Sequence, residues 1–152
     1  VSVPEIGTIV AKVKPLVFLT SNNTREMSDA LKRRCLHLHI PFPEAKVERT
    51  ILERRVPGLS QTLNRELVAF VQAVRAIDLK KQPSVSETID WAKTLLLLNA
   101  EHLSLDLVRD TLNVFLKFEQ DIASATEQLP ALLAQARKDA ELPLSSHHAS
   151  HA

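Results

Sequence analysis

Apolar residues recur along this chain in two rhythms, and the change falls at Pro41-Phe-Pro43. Before it, spacing by two dominates. Val1-Ser-Val-Pro-Glu-Ile-Gly-Thr-Ile-Val10 predicts a strand, a turn at Glu5 to Gly7 and a returning strand. Pro15 opens an apolar run to Leu19 that predicts a buried, parallel strand, with a polar turn over 20–25 at its carboxyl end. Ser28 or Asp29 can cap a short helix through Arg33 or Arg34. From Cys35 to Ile40 the alternation returns, with Leu36, Leu38 and Ile40 set against His37 and His39, and predicts a further strand that the prolines stop.

After Pro43 the spacing is helical. Glu44 to Val56 predicts an amphipathic helix with Val47, Ile51 and Leu52 inward, ended by Pro57-Gly58. Gln61 to Ile77 places Leu63, Leu67, Phe70, Val71, Val74 and Ile77 on one stripe. Lys80-Lys-Gln-Pro83 reads as a loop. Ser84 with Glu87 forms a capping box for a helix to about Leu98. Ser104 can cap the next helix, whose Leu105, Val108, Leu112 and Phe115 share a face. A final helical stretch starts near Glu119, with Pro130 as a break or restart. From Leu142 the sequence is of low complexity, ends Ser-Ser-His-His-Ala-Ser-His-Ala, and is expected to be disordered.

The fold class expected is therefore mostly α with a small β part. Composition agrees: 45% hydrophobic and 24% charged residues over 152 positions supply a core and a solvated surface, and the lack of Tyr disfavours a β-sandwich. No run reaches the ~18 apolar residues of a membrane span. The first residues lack the basic start and apolar core of a secretory signal, and the absence of an initiator Met points to a truncated reading. Cys35 is the single cysteine, which excludes an internal disulfide and a cysteine-based zinc cluster and fits a reducing compartment such as the cytoplasm. A net charge of +1 provides no global field for nucleic acid, although basic residues cluster at Lys32, Arg33, Arg34 and at Arg49, Arg54, Arg55.

Glycine usage narrows the chemistry further. Only Gly7 and Gly58 are present, where ordinary usage gives roughly ten. A phosphate-cradling loop needs two glycines five positions apart followed by Lys, and neither glycine has such a partner. What the chain does carry is Leu16-Val-Phe-Leu-Thr-Ser-Asn-Asn23, an apolar run ending in an amide-rich turn, and then Asp29-Ala-Leu-Lys-Arg-Arg-Cys35. A neutral amide that polarises water, followed by an arginine that neutralises growing phosphate charge, is the second half of a phosphate-handling site. Asn22 also fits a simple turn cap, and Arg33 with Arg34 fits a solvated helix terminus.

The block from Val1 to Cys35, with Pro4-Glu-Ile-Gly7 and Thr20-Ser-Asn-Asn-Thr-Arg-Glu26, resembles the carboxyl-terminal part of a MoxR-type AAA+ ATPase. Pro83-Ser-Val-Ser-Glu-Thr-Ile-Asp-Trp91 resembles a phrase in the helical lid of such proteins, so the similarity runs over roughly residues 1 to 120. It implies that residues 1–42 are the end of an AAA+ α/β core, with hairpin, sensor 1 strand and arginine-finger segment. Residues 43–140 would be an all-helical lid domain and 141–152 a disordered tail. It implies a ring, usually a hexamer, with ATP and Mg2+ between subunits of the parent protein, and chaperone-like remodelling beside a partner bearing a von Willebrand factor A domain. Asn22 occupies the sensor 1 position and Arg34, or the adjacent Arg33, the arginine-finger position. The sensor 2 arginine of such lids aligns with Ser86, which cannot supply charge; Lys80, Lys81 or Lys93 are the substitutes at hand. With neither the P-loop nor the magnesium-binding carboxylates in this chain, no tight nucleotide binding and no ATPase activity of its own are expected.

Other candidates have plainer readings. His37 and His39 share a strand face but lack a third ligand. His147, His148 and His151 lie in the tail, Trp91 reads as a core residue, Arg25 and Glu26 as interface residues or a surface pair, and Cys35 as buried and inert. The competing function is a non-enzymatic helical interaction module; a nucleic-acid binder is disfavoured by the near-neutral charge.

Overall fold

The computed structural model describes residues 2–3, 7–8, 13–21 and 28–141, and the chain divides after Ile40 into two units. In the first unit, β1 (Ser2–Val3) pairs antiparallel with β2 (Gly7–Thr8), with Ser2 opposite Thr8 and Val3 opposite Gly7. This is the expected hairpin; its turn residues 4–6 lie outside the described residues. The short helix is present as α1 (Asp29–Lys32), where the Ser28 carbonyl accepts from the Leu31 and Lys32 amides at 2.9 and 3.0 Å. Asp29 in its first turn and Lys32 in its last each oppose the helix dipole.

Two expected strands are corrected. Neither 16–19 nor 36–40 pairs as a strand among the described residues, and the apolar side chains there face solvent. Phe18 is 82% exposed and Leu36 fully so. The pattern encodes half of a ladder: a strand forms only where neighbouring strands take up its amides and carbonyls, and the described residues offer none. Cys35, expected to be buried, is half-exposed.

The regular elements among the described residues of the second unit are all helices: α2 (Ala45–Arg55), α3 (Gln61–Arg75), α4 (Val85–Leu97), α5 (Leu105–Phe115), α6 (Glu119–Glu127) and α7 (Leu129–Glu141). The starts of α3, α4 and α5 follow from hydroxyl caps. Ser60, Ser84 and Ser104 each accept from the amide three residues on, and Glu87 completes the capping box by accepting from the Ser84 amide at 2.6 Å. Pro130 falls in the first turn of α7, where its missing N–H has no helical partner to lose. Gly58, at φ +101°, allows the sharp turn out of α2. α4 ends in a Schellman turn: Ala100 donates to the Leu95 carbonyl and Asn99 to Leu96, with Asn99 left-handed at φ 52°.

The core forms around α3, which packs against α7, α2 and α4. Leu67, Val68, Phe70, Val71 and Val74 have no exposed surface. Phe70, Trp91 and Phe115 form an aromatic centre, with Trp91 stacked on Phe115 at 4.5 Å between centroids. Trp91 donates its Nε1–H to the Thr111 hydroxyl at 2.9 Å, so its polar edge is satisfied while the ring is buried. On α2 the expected inward set is half right. Leu52 is buried, but Val47 is about half exposed and its neighbour Glu48 is fully buried.

Candidate functional site

Arg33 and Arg34 leave the carboxyl end of α1 adjacent to each other and exposed. The backbone amides of both are used in the turn, Arg33 donating to Asp29 and Arg34 to Leu31, each at 3.0 Å. This fixes the backbone and leaves the guanidinium groups at the surface. Among the described residues neither makes an ion pair. Asn22, with Arg25 and Glu26, lies outside the described residues. His37 and His39 are exposed.

Ser86 lies in the second unit, exposed in the first turn of α4. The cations considered beside it are all engaged. Lys81 Nζ contacts Glu87 Oε1 at 2.9 Å, Lys80 Nζ sits 4.5 Å from the Phe118 ring centre, and Lys93 lies 3.6 Å from Asp90. The loop carrying the first two is pinned from below. Asp121, 1% exposed, accepts from the Lys80 and Lys81 amides at 2.8 and 3.2 Å. Burial pushes the Glu87 carboxyl up. The hydrogen bonds from the Ser84 amide, the Lys81 ammonium and the Ser84 hydroxyl outweigh that and hold it below its ordinary value.

The densest polar group among the described residues was not legible in the sequence. Glu48, on α2, receives four hydrogen bonds. Arg75 Nη1 and Nη2 donate at 2.7 and 2.8 Å, Gln72 Nε2 at 2.9 Å and the Thr88 hydroxyl at 3.1 Å. Arg75 Nε donates to the Pro83 carbonyl at 2.9 Å, and the Phe42 ring covers the guanidinium face at 4.6 Å. Gln72 also donates to the Pro43 carbonyl at 3.1 Å. One signal was available. Arg75 continues the buried stripe of α3 one turn past Val71, a place where a charge survives only with a partner. Nearby, Arg49 is pulled below its ordinary pKa by burial and by Arg65, and its Nε has no hydrogen-bond partner among the described residues. Among the described residues no three metal-capable side chains come together.

Comparison of the chain with protein-family models, with curated proteins and with solved structures finds no match in any of the three. No helix among the described residues is long and apolar enough to cross a membrane.

Proposed function

We propose that the chain is the sensor 1, arginine-finger and lid portion of a MoxR-type AAA+ ATPase. In this reading ATP binding and hydrolysis between ring subunits, in a hexamer, drive chaperone-like remodelling of a protein partner in the cytoplasm. A von Willebrand factor A domain protein is the partner class the resemblance implies. The observation that carries the reading is the state of Arg33 and Arg34. Both guanidiniums are exposed and, among the described residues, free of carboxylates, directly before an all-helical unit. A finger that acts in a neighbouring subunit needs that freedom, because a carboxylate in its own chain would neutralise it.

The chain's residues fit ATP and Mg2+ only in part. Arg34, or Arg33, would neutralise charge on the transferring phosphoryl group in trans, and Asn22 would orient water by its neutral amide. α4, starting at Ser84, would close over the adenine side. Ser86 supplies a hydroxyl where sensor 2 supplies a cation, and the nearby Lys81 is held by Glu87. The groups that cradle the polyphosphate and hold Mg2+ are not among this chain's residues, since neither Gly7 nor Gly58 belongs to a P-loop. When bound, the nucleotide supplies the phosphoryl group whose transfer drives the remodelling.

The test begins upstream of Val1. An in-frame strand, Gly-x-x-x-x-Gly-Lys-Ser/Thr and helix, then an apolar strand ending in acidic residues, is expected in the coding DNA. In that longer protein Arg34→Ala is expected to lower kcat by about 10³-fold with nucleotide binding retained. Full ATPase activity in both the Arg34→Ala and Arg33→Ala proteins would sink the reading. One observation favours the non-enzymatic interaction module instead: Leu97, 82% exposed, and Leu98 form an apolar end to α4. That reading takes over if no P-loop precedes Val1.

A further inference from the structure

Two proline-bounded segments converge on one buried ion pair. The lead into α2, Phe42-Pro43, is held by Arg75 through the Phe42 ring and by Gln72 through the Pro43 carbonyl. The lead into α4, Pro83-Ser84, is held by the same Arg75, whose Nε donates to the Pro83 carbonyl. Gln82 closes the second lead by donating to the Arg75 carbonyl at 2.8 Å. Thr88, one turn into α4, contacts Arg75 Nη2, Glu48 Oε1 and the Ser84 carbonyl with a single hydroxyl. Glu48 sits at the centre with no exposed surface.

We propose that Glu48 and Arg75 form a latch that couples the strap Phe42-Pro43 to the loop and first turn of α4, so that lifting the strap loosens Pro83 to Thr88. The physical link is solvation. Phe42, itself 44% exposed, covers one face of the guanidinium at 4.6 Å, and Arg75 is only 7% exposed with that ring in place. Removing the ring lets water reach the pair, and a rise in local dielectric weakens its attraction several-fold. The Nε bond to Pro83 and the Nη2 bond to Thr88 are made by the same rigid planar group, so they are lost in register rather than one at a time. Gln72 adds a second route, because it bridges Pro43 and Glu48 Oε2 with one amide nitrogen. Glu48 and Arg75 are positioning residues here. The inference does not rest on the ATPase reading, since every group in it lies in the helical unit.

Residue-resolved amide hydrogen exchange on the full chain tests this. In Phe42→Ala, exchange at Ser84 and Thr88 is expected to rise about tenfold relative to Leu116 and Leu132, whose amides close α5 and open α7. Coupling is reciprocal, so Thr88→Val should raise exchange at Glu48 by a comparable factor, at the far end of the latch. A Phe42→Ala effect confined to residues 44–48 would overturn the proposal. An equal rise at all four reporter amides would also overturn it, by reducing Phe42 to an ordinary contributor to global stability.

Discussion

Glu48 and Arg75 meet end-on across 27 positions of sequence, the two guanidinium Nη groups each on a different carboxylate oxygen at 2.7 and 2.8 Å. Removing one partner leaves the other charge buried. Arg75→Met is expected to cost about 3–5 kcal/mol, measured by urea unfolding, whereas Glu48→Leu with Arg75→Met should cost clearly less than the two single changes added together. Additive losses would mean that the charges contribute independently.

Trp91 is the single tryptophan and is fully buried against Phe115, so its fluorescence reports on the centre of the helical unit alone. Phe115→Ala should cost about 3–5 kcal/mol and shift the emission to longer wavelength as water enters the space beside the indole. Thr111→Val should cost about 1–3 kcal/mol by orphaning the indole N–H, with little change in packing.

The Glu87 carboxyl is held below its ordinary pKa in the fold, so its contribution is fully present above the unfolded-state value. It is lost as pH falls through the depressed folded value. Stability measured by urea titration should therefore drop in that acidic window, and Glu87→Gln should flatten this part of the profile. An unchanged acid limb in the variant would refute the assignment.

Asn99 carries the left-handed turn that ends α4. Asn99→Gly is expected to be neutral or slightly stabilising in thermal unfolding. Asn99→Val should cost about 1–2 kcal/mol, since a β-branched side chain is strained at that φ.

What was legible in the sequence is what is decided locally. The stripe of α3, the capping box at Ser84 and Glu87 and the hydroxyl caps at Ser60 and Ser104 need only neighbours within a turn, and each helix begins within a residue or two of its signal. Val47 is expected inward but is half exposed, and its neighbour Glu48 is buried, because the choice is made elsewhere. A carboxylate turns inward only because Arg75, Gln72 and Thr88 await it, and no pattern within α2 records them. The segments 16–19 and 36–40 are not strands for the converse reason, the apolar run of one and the alternation of the other being real and their partners missing from the described residues. Of the site residues, the sequence located Arg33 and Arg34 at a helix end correctly, while their freedom from carboxylates is a property of space.

Pro43 and Pro83 bound the two leads, and both offer their carbonyls to the latch. A residue usually counted as an interruption serves here as a pre-set acceptor. The ring fixes one of the two dihedrals that aim the carbonyl, so less freedom remains to be lost when Gln72 and Arg75 close on it. The helical unit thus draws part of its rigidity from what its unfolded chain was never able to explore.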